Sequence, residues 1–107
     1  MSNIGNMLNK LQNMKIKLKE IEASLESAEF SSSVGGNVVE ATVNGKGKVK
    51  KLFIDNSLFN DNDADELSEL IILAVNSAIS NAEINKEKKI KDLTGGLPLP
   101  PGLNLPF

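Results

Sequence analysis

The sequence predicts an α+β fold in which two long helices bracket a small antiparallel meander. Three features carry that prediction. Ile4, Met7, Leu11, Met14, Leu18, Ile21, Leu25 and Ala28 recur at alternating steps of 3 and 4, the heptad of a helix that lies along another helix. Residues 37–54 are rich in β-branched side chains and punctuated by glycine, as strands and their turns are. Residues 63–94 return to a helical period between Asp63 and Gly95-Gly96, residue types that start and stop helices.

The first helix is expected over residues 4–28, with Ser2 or Asn3 as its cap. At about 1.5 Å per residue it is about 40 Å long, more than a small sheet can cover. Its seam, with Met7, Leu11, Met14, Leu18, Ile21 and Leu25, is narrow and calls for a second helix alongside, from this chain or from another copy. In a parallel in-register pair Lys17 meets Glu22 favourably, but Lys10 meets Lys15 and repels it. Packing on the chain's own second helix is therefore at least as good a solution.

Phe30 to Val34 reads as a short strand or the entry to a turn, and Gly35-Gly36 breaks it. The next strand, within Asn37 to Asn44, puts Val39, Ala41 and Val43 on one face. Asn44-Gly45 is a hairpin dipeptide, after which Val49 to Ile54 returns with Leu52 and Ile54 facing one way. Asp55 to Asn62 has loop composition. The second helix carries Leu67, Leu70, Ile71, Ala74, Ala78 and Ala82 on one side and Ile72, Val75 and Ile79 on another. Apolar on two sides, it is built to be covered twice, by the sheet and by a second subunit. Residues 95–107 form a Pro-rich extended tail, distinct from the domain at 1–94, whose alternating leucines suggest docking.

Composition removes most chemistry. The chain has no Cys and no His, so thiolate nucleophiles, imidazole acid–base catalysis and the commonest zinc ligands are absent. Asp61, Asp63 and Asp65 have the spacing that opens a calcium loop, but Glu66 replaces its glycine and Ile72 its closing glutamate. Gly45-Lys46-Gly47-Lys48 lacks P-loop spacing. No metal, cofactor or enzymatic activity is expected. The start of the chain does not read as a signal peptide, and no stretch is expected to be long and apolar enough to cross a bilayer. The expectation is a cytoplasmic protein without a membrane partner.

The charge is segregated. The net charge is −2, yet all twelve basic residues are Lys and fall into three groups of four. Lys10, Lys15, Lys17 and Lys19 lie in the first helix, Lys46, Lys48, Lys50 and Lys51 around the hairpin, and Lys86, Lys88, Lys89 and Lys91 late in the second helix. Antiparallel packing of the helices would join the first group to the last, and a dimer would double that patch. Its physical partner is a phosphate backbone. Without Arg, bidentate reading of guanine is lost, so binding to double-stranded DNA is expected to tolerate sequence.

The residues Val43-Asn44-Gly45, Ile54-Asp55-Asn56-Ser57-Leu58, Ala74-Val75-Asn76-Ser77-Ala78 and the ending Leu99-Pro100-Pro101-Gly102-Leu103-Asn104-Leu105-Pro106-Phe107, in this order, closely resemble the YbaB/EbfC family of bacterial nucleoid-associated proteins. The resemblance covers essentially the whole chain. It implies an α-β-β-β-α protomer in a tweezer-like homodimer that binds DNA through projecting helices. It also implies a nucleoid-linked role in DNA organisation and gene regulation, with recombination-repair proteins as further partners. Ser77 stands where relatives often carry Asp. A second reading is an oligomeric protein-interaction module serving recombination or replication proteins through the acidic blocks and the apolar tail.

Overall fold

The computed structural model describes residues 2–59, 63–98, 105 and 107. Helix α1 (Ser2–Ser27) leads into strands β1 (Glu29–Val34), β2 (Val39–Asn44) and β3 (Val49–Ile54), then a 3-10 turn (Asn56–Phe59), then helix α2 (Ala64–Thr94). The α-β-β-β-α order is as expected. Two boundaries differ: α1 already includes Ser2 and Asn3, expected as its caps, and the segment at Phe30 to Val34 is a full strand. Asp61 of the calcium-like spacing and most of the Pro-rich tail lie outside the described residues.

The sheet has the order β1-β2-β3, antiparallel throughout. Alternation along β2 works as its sequence requires. Val39, Ala41 and Val43 are fully buried against α2, while Thr42 on the other face is buried among its cross-strand neighbours, hydrogen-bonded at 2.8 Å to the Ser31 hydroxyl. Asn44 organises the β2–β3 turn: its side-chain oxygen accepts from the N–H groups of Lys46 and Lys48, each at 3.0 Å.

Helix α2 is capped at both ends. The Asp63 side chain accepts from the Glu66 N–H at 3.1 Å, and Gly95, in the left-handed region, closes the C-terminus. Ala74, Ala78 and Ala82 are fully buried on the inner side of α2, and their small side chains let the helix lie close on β1 and β2. Leu67, Leu70, Ile71, Val75 and Ile79 pack partly buried around this core. The second half of α2 leaves the sheet and runs along α1, giving a body 72 × 20 × 18 Å.

One expectation is corrected here. Helix α2 is long and apolar enough to cross a membrane by length and composition, and only 17% of its apolar window is buried in the protomer. The cause is its two-sided apolarity: one side covers the sheet, while Ile72, Leu73 and Ile84 remain exposed. The inner side is committed to β1 and β2, including a 2.8 Å hydrogen bond from Ser32 to Ser77.

The heptad seam of α1 is only partly used. Leu18 and Leu25 are buried, Leu11, Met14 and Ile21 half-buried, and Ile4 and Met7 exposed. The base of α1 is fastened to the β2–β3 turn. Gly45 donates to the Leu25 carbonyl at 2.7 Å, and Lys46 pairs with Glu22 at 3.0 Å and Glu26 at 3.1 Å. Hydrogen bonding to those two carboxylates raises the Lys46 pKa above its ordinary value.

Candidate nucleic-acid interface

The two helices run antiparallel where they meet. Lys89 donates to the Ser24 hydroxyl at 3.1 Å. A shallow groove between the helices is lined by Lys17, Glu20, Ile21 and Ser24 of α1 and by Lys89, Asp92 and Leu93 of α2. Antiparallel packing therefore brings one lysine of each group, Lys17 and Lys89, to one groove. It also places Glu20 and Asp92 there, so the groove is of mixed charge and not a uniform cationic face.

The remaining lysines of the two groups do not line it. Lys10, Lys15 and Lys19 are exposed on α1, and Lys88 and Lys91 on α2. Lys86 is half-buried, with its ammonium 5.7 Å from the centre of the Phe107 ring, a distance at which the ring face attracts the cation. That contact was not foreseen from sequence. An alternating apolar tail signals only that it can dock, not where.

Helix α1 continues past the end of α2. Leu93 reaches only as far as Lys17 to Ile21, and α2 stops at Thr94. The first four turns of α1 (residues 2–15), about 20 Å at the helical rise, therefore lie beyond it. Positions 2–19 of α1 contain four Lys and neither Asp nor Glu. Lys10 and Lys15 stand on the projecting rod and Lys17 and Lys19 at its base, so a field of one sign is concentrated there although the whole chain is acidic.

The hairpin lysines behave differently. Lys46 is neutralised by Glu22 and Glu26, while Lys48, Lys50 and Lys51 are exposed on β3 and its turn. Beside them lies apolar surface. Helix α2 covers β1 and β2, leaving Val49 and Leu52 of β3 exposed at 45% and 43%. The adjacent flank of α2 carries Ile72, exposed at 56%, with Val75 and Ile79 half-buried. Gly47 of the turn lies close to Ile79. Among the described residues no cluster of potential metal ligands occurs.

Comparison with known proteins places this geometry. A model of the YbaB/EbfC DNA-binding family matches residues 1–97. Nucleoid-associated proteins of Agrobacterium fabrum and Rhizobium meliloti are each 37% identical over 107 residues, covering all of both chains, and one of Rhodospirillum rubrum is 35% identical over the same span. The fold is similar to the crystal structure of an uncharacterized Helicobacter pylori protein, with a TM-score of 0.74 and 25% identity over 89% of this chain and 97% of that one. The half-used heptad, the alanine-packed α2 on a three-stranded sheet and the projecting lysine-bearing helix are thus those of a chain that belongs to the YbaB/EbfC DNA-binding family.

Proposed function

We propose that this protein is a nucleoid-associated protein of the cytoplasm that binds duplex DNA as a homodimer. Its affinity is set mainly by phosphate charge, and it contributes to DNA organisation and through it to gene regulation. The observation that supports this best is the projecting part of α1, with Lys10 and Lys15 exposed on it, Lys17 and Lys19 exposed at its base, and no carboxylate over positions 2–19. Lys10, Lys15, Lys17 and Lys19 would contact phosphates together with Lys86, Lys88, Lys89 and Lys91 of α2. The carboxylates Glu20 and Asp92 in the groove argue that phosphates are engaged along the flanks of the helices rather than within it.

The dimer reading rests on uncovered apolar surface. Val49 and Leu52 beside Ile72, Val75 and Ile79 form a two-walled apolar step that the protomer leaves open, and a second copy supplies the matching surface by symmetry. The exposed seam at Ile4 and Met7 is further surface for such pairing. The test is a fluorescence-anisotropy titration on unrelated duplexes across salt. If roughly 6 to 8 phosphates are neutralised, log K falls against log salt with a slope of about −5 to −7. Salt-insensitive or absent duplex binding would overturn the reading. Leu73 and Ile84, exposed at 58% and 65% on the outer side of α2, favour a second role in docking recombination-repair proteins, which a salt-insensitive protein–protein association would reveal.

A further inference from the structure

We infer that the exposed polar face of the projecting α1 segment reads adenine in the major groove through Asn6, Asn9 and Asn13. This inference rests on the DNA-binding reading and adds to it a base preference that lysine cannot supply.

Asn6, Asn9 and Asn13 follow one another at steps of 3 and 4, and Lys10 and Lys17 share their side of the helix at the same spacing. All five are exposed. The neighbouring flank carries Met7, Leu11, Met14 and Leu18, the seam that becomes buried toward the base. Asparagine is among the poorer helix formers, so repeating it along one exposed helical face sacrifices local stability. A ligand that uses the amides accounts for that arrangement, and the local charge identifies it: lysines without a carboxylate over positions 2–19 complement phosphate.

Geometry permits the docking. A helix about 10–12 Å across fits a major groove about 12 Å wide, and this segment projects past α2 for several turns. Lys10 and Lys17, along the edge of the face nearer the seam, can reach the phosphates of one strand, while the amides beside them face base edges. An asparagine amide pairs in bidentate fashion with adenine, donating to N7 and accepting from the N6 amino group. Lysine is left as a point charge, and the chain has no Arg to read guanine. The result is a modest adenine preference superimposed on phosphate-dominated affinity.

The experiment measures anisotropy of the full chain at one salt concentration on three duplexes of equal length. One has an A·T centre, one a G·C centre, and one carries 7-deazaadenine in place of every central adenine. The expected result is roughly tenfold tighter binding to the A·T duplex, falling to the G·C level with 7-deazaadenine, which removes the N7 acceptor and leaves the minor groove intact. The combined variant Asn6→Ala, Asn9→Ala, Asn13→Ala is expected to lose the preference and keep the salt slope. Equal affinity of the unmodified chain for all three duplexes overturns the inference but leaves DNA binding standing. So does a preference that survives 7-deazaadenine, which would point to the narrow minor groove of A-tracts, or one that survives the triple variant. Failure to bind any duplex overturns the DNA reading itself.

Discussion

Replacing Gly45 by Ala tests how α1 is held to the sheet. Gly45 is buried in the β2–β3 turn, and a Cβ there would stand 2.8 Å from the Leu25 Cα, carbonyl oxygen and Cδ2. Two of those atoms are backbone, so no rotamer change relieves the clash, and the turn must separate from the last turns of α1. Overpacking of this kind costs about 1–3 kcal/mol. Lengthening the 2.7 Å hydrogen bond from Gly45 to Leu25 adds about 0.5–1.5 kcal/mol. The expected loss is roughly 2–4 kcal/mol, or a Tm about 10–20 °C lower for a domain of this size. Gly5→Ala is the internal comparison: a Cβ at that helical position meets nothing within 4 Å, so it is expected to stabilise by about 0.5–1 kcal/mol. Thermal unfolding followed by circular dichroism at fixed protein concentration measures both. A Gly45→Ala chain that melts with the parent would show that the contact between turn and α1 is not a point of fixed packing.

Other outcomes follow from the same structure. Changing Lys86, Lys88, Lys89 and Lys91 together to Glu is expected to abolish gel-shift activity at low salt with circular dichroism unchanged, and retained binding would remove α2 from the interface. Leu52→Glu combined with Ile72→Glu places charge on the open apolar step, and sedimentation is expected to find a folded monomer; an unchanged dimer would place the interface elsewhere. Leu25, fully buried, is expected to cost about 2–5 kcal/mol as Leu25→Ala, read from denaturant unfolding. The Asp55 carboxylate accepts from the Ser57 N–H at 2.9 Å, and bonding to Ser57 lowers its pKa below the ordinary 3.8. Its folded pKa being the lower one, its stabilisation is complete above the ordinary value and lost as pH falls through the depressed one. Asp55→Asn is therefore expected to flatten the acid limb of stability against pH, and an unaltered limb would refute this.

Much of the fold was legible in local sequence. The heptad from Ile4 to Ala28, the alternation of Val39, Ala41 and Val43, the Asn44-Gly45 turn, Asp63 as cap and Gly95-Gly96 as stop each depend on neighbours within a few residues, and the elements formed there, with α1 shifted at its ends to run from Ser2 to Ser27. The two-sided apolarity of α2 is equally legible there, and because both sides add along its length the helix reaches membrane-spanning apolarity, which neither side implies alone.

Periodicity states which side of an element is apolar but not which distant surface meets it. Only the packed chain decided that the seam is buried at Leu18 and Leu25 and left open at Ile4 and Met7, because α2 ends partway along α1. Only it decided that α2 covers β1 and β2 and leaves Val49 and Leu52 bare. The lysines were countable from the start, but their surroundings were not. Lys46 spends its charge on Glu22 and Glu26, Lys17 and Lys89 meet beside Glu20 and Asp92, and Lys86 lies over Phe107. Helix period and turn chemistry act over a few residues and are written in the chain, whereas a charge's field depends on partners that only folding brings within a few ångströms.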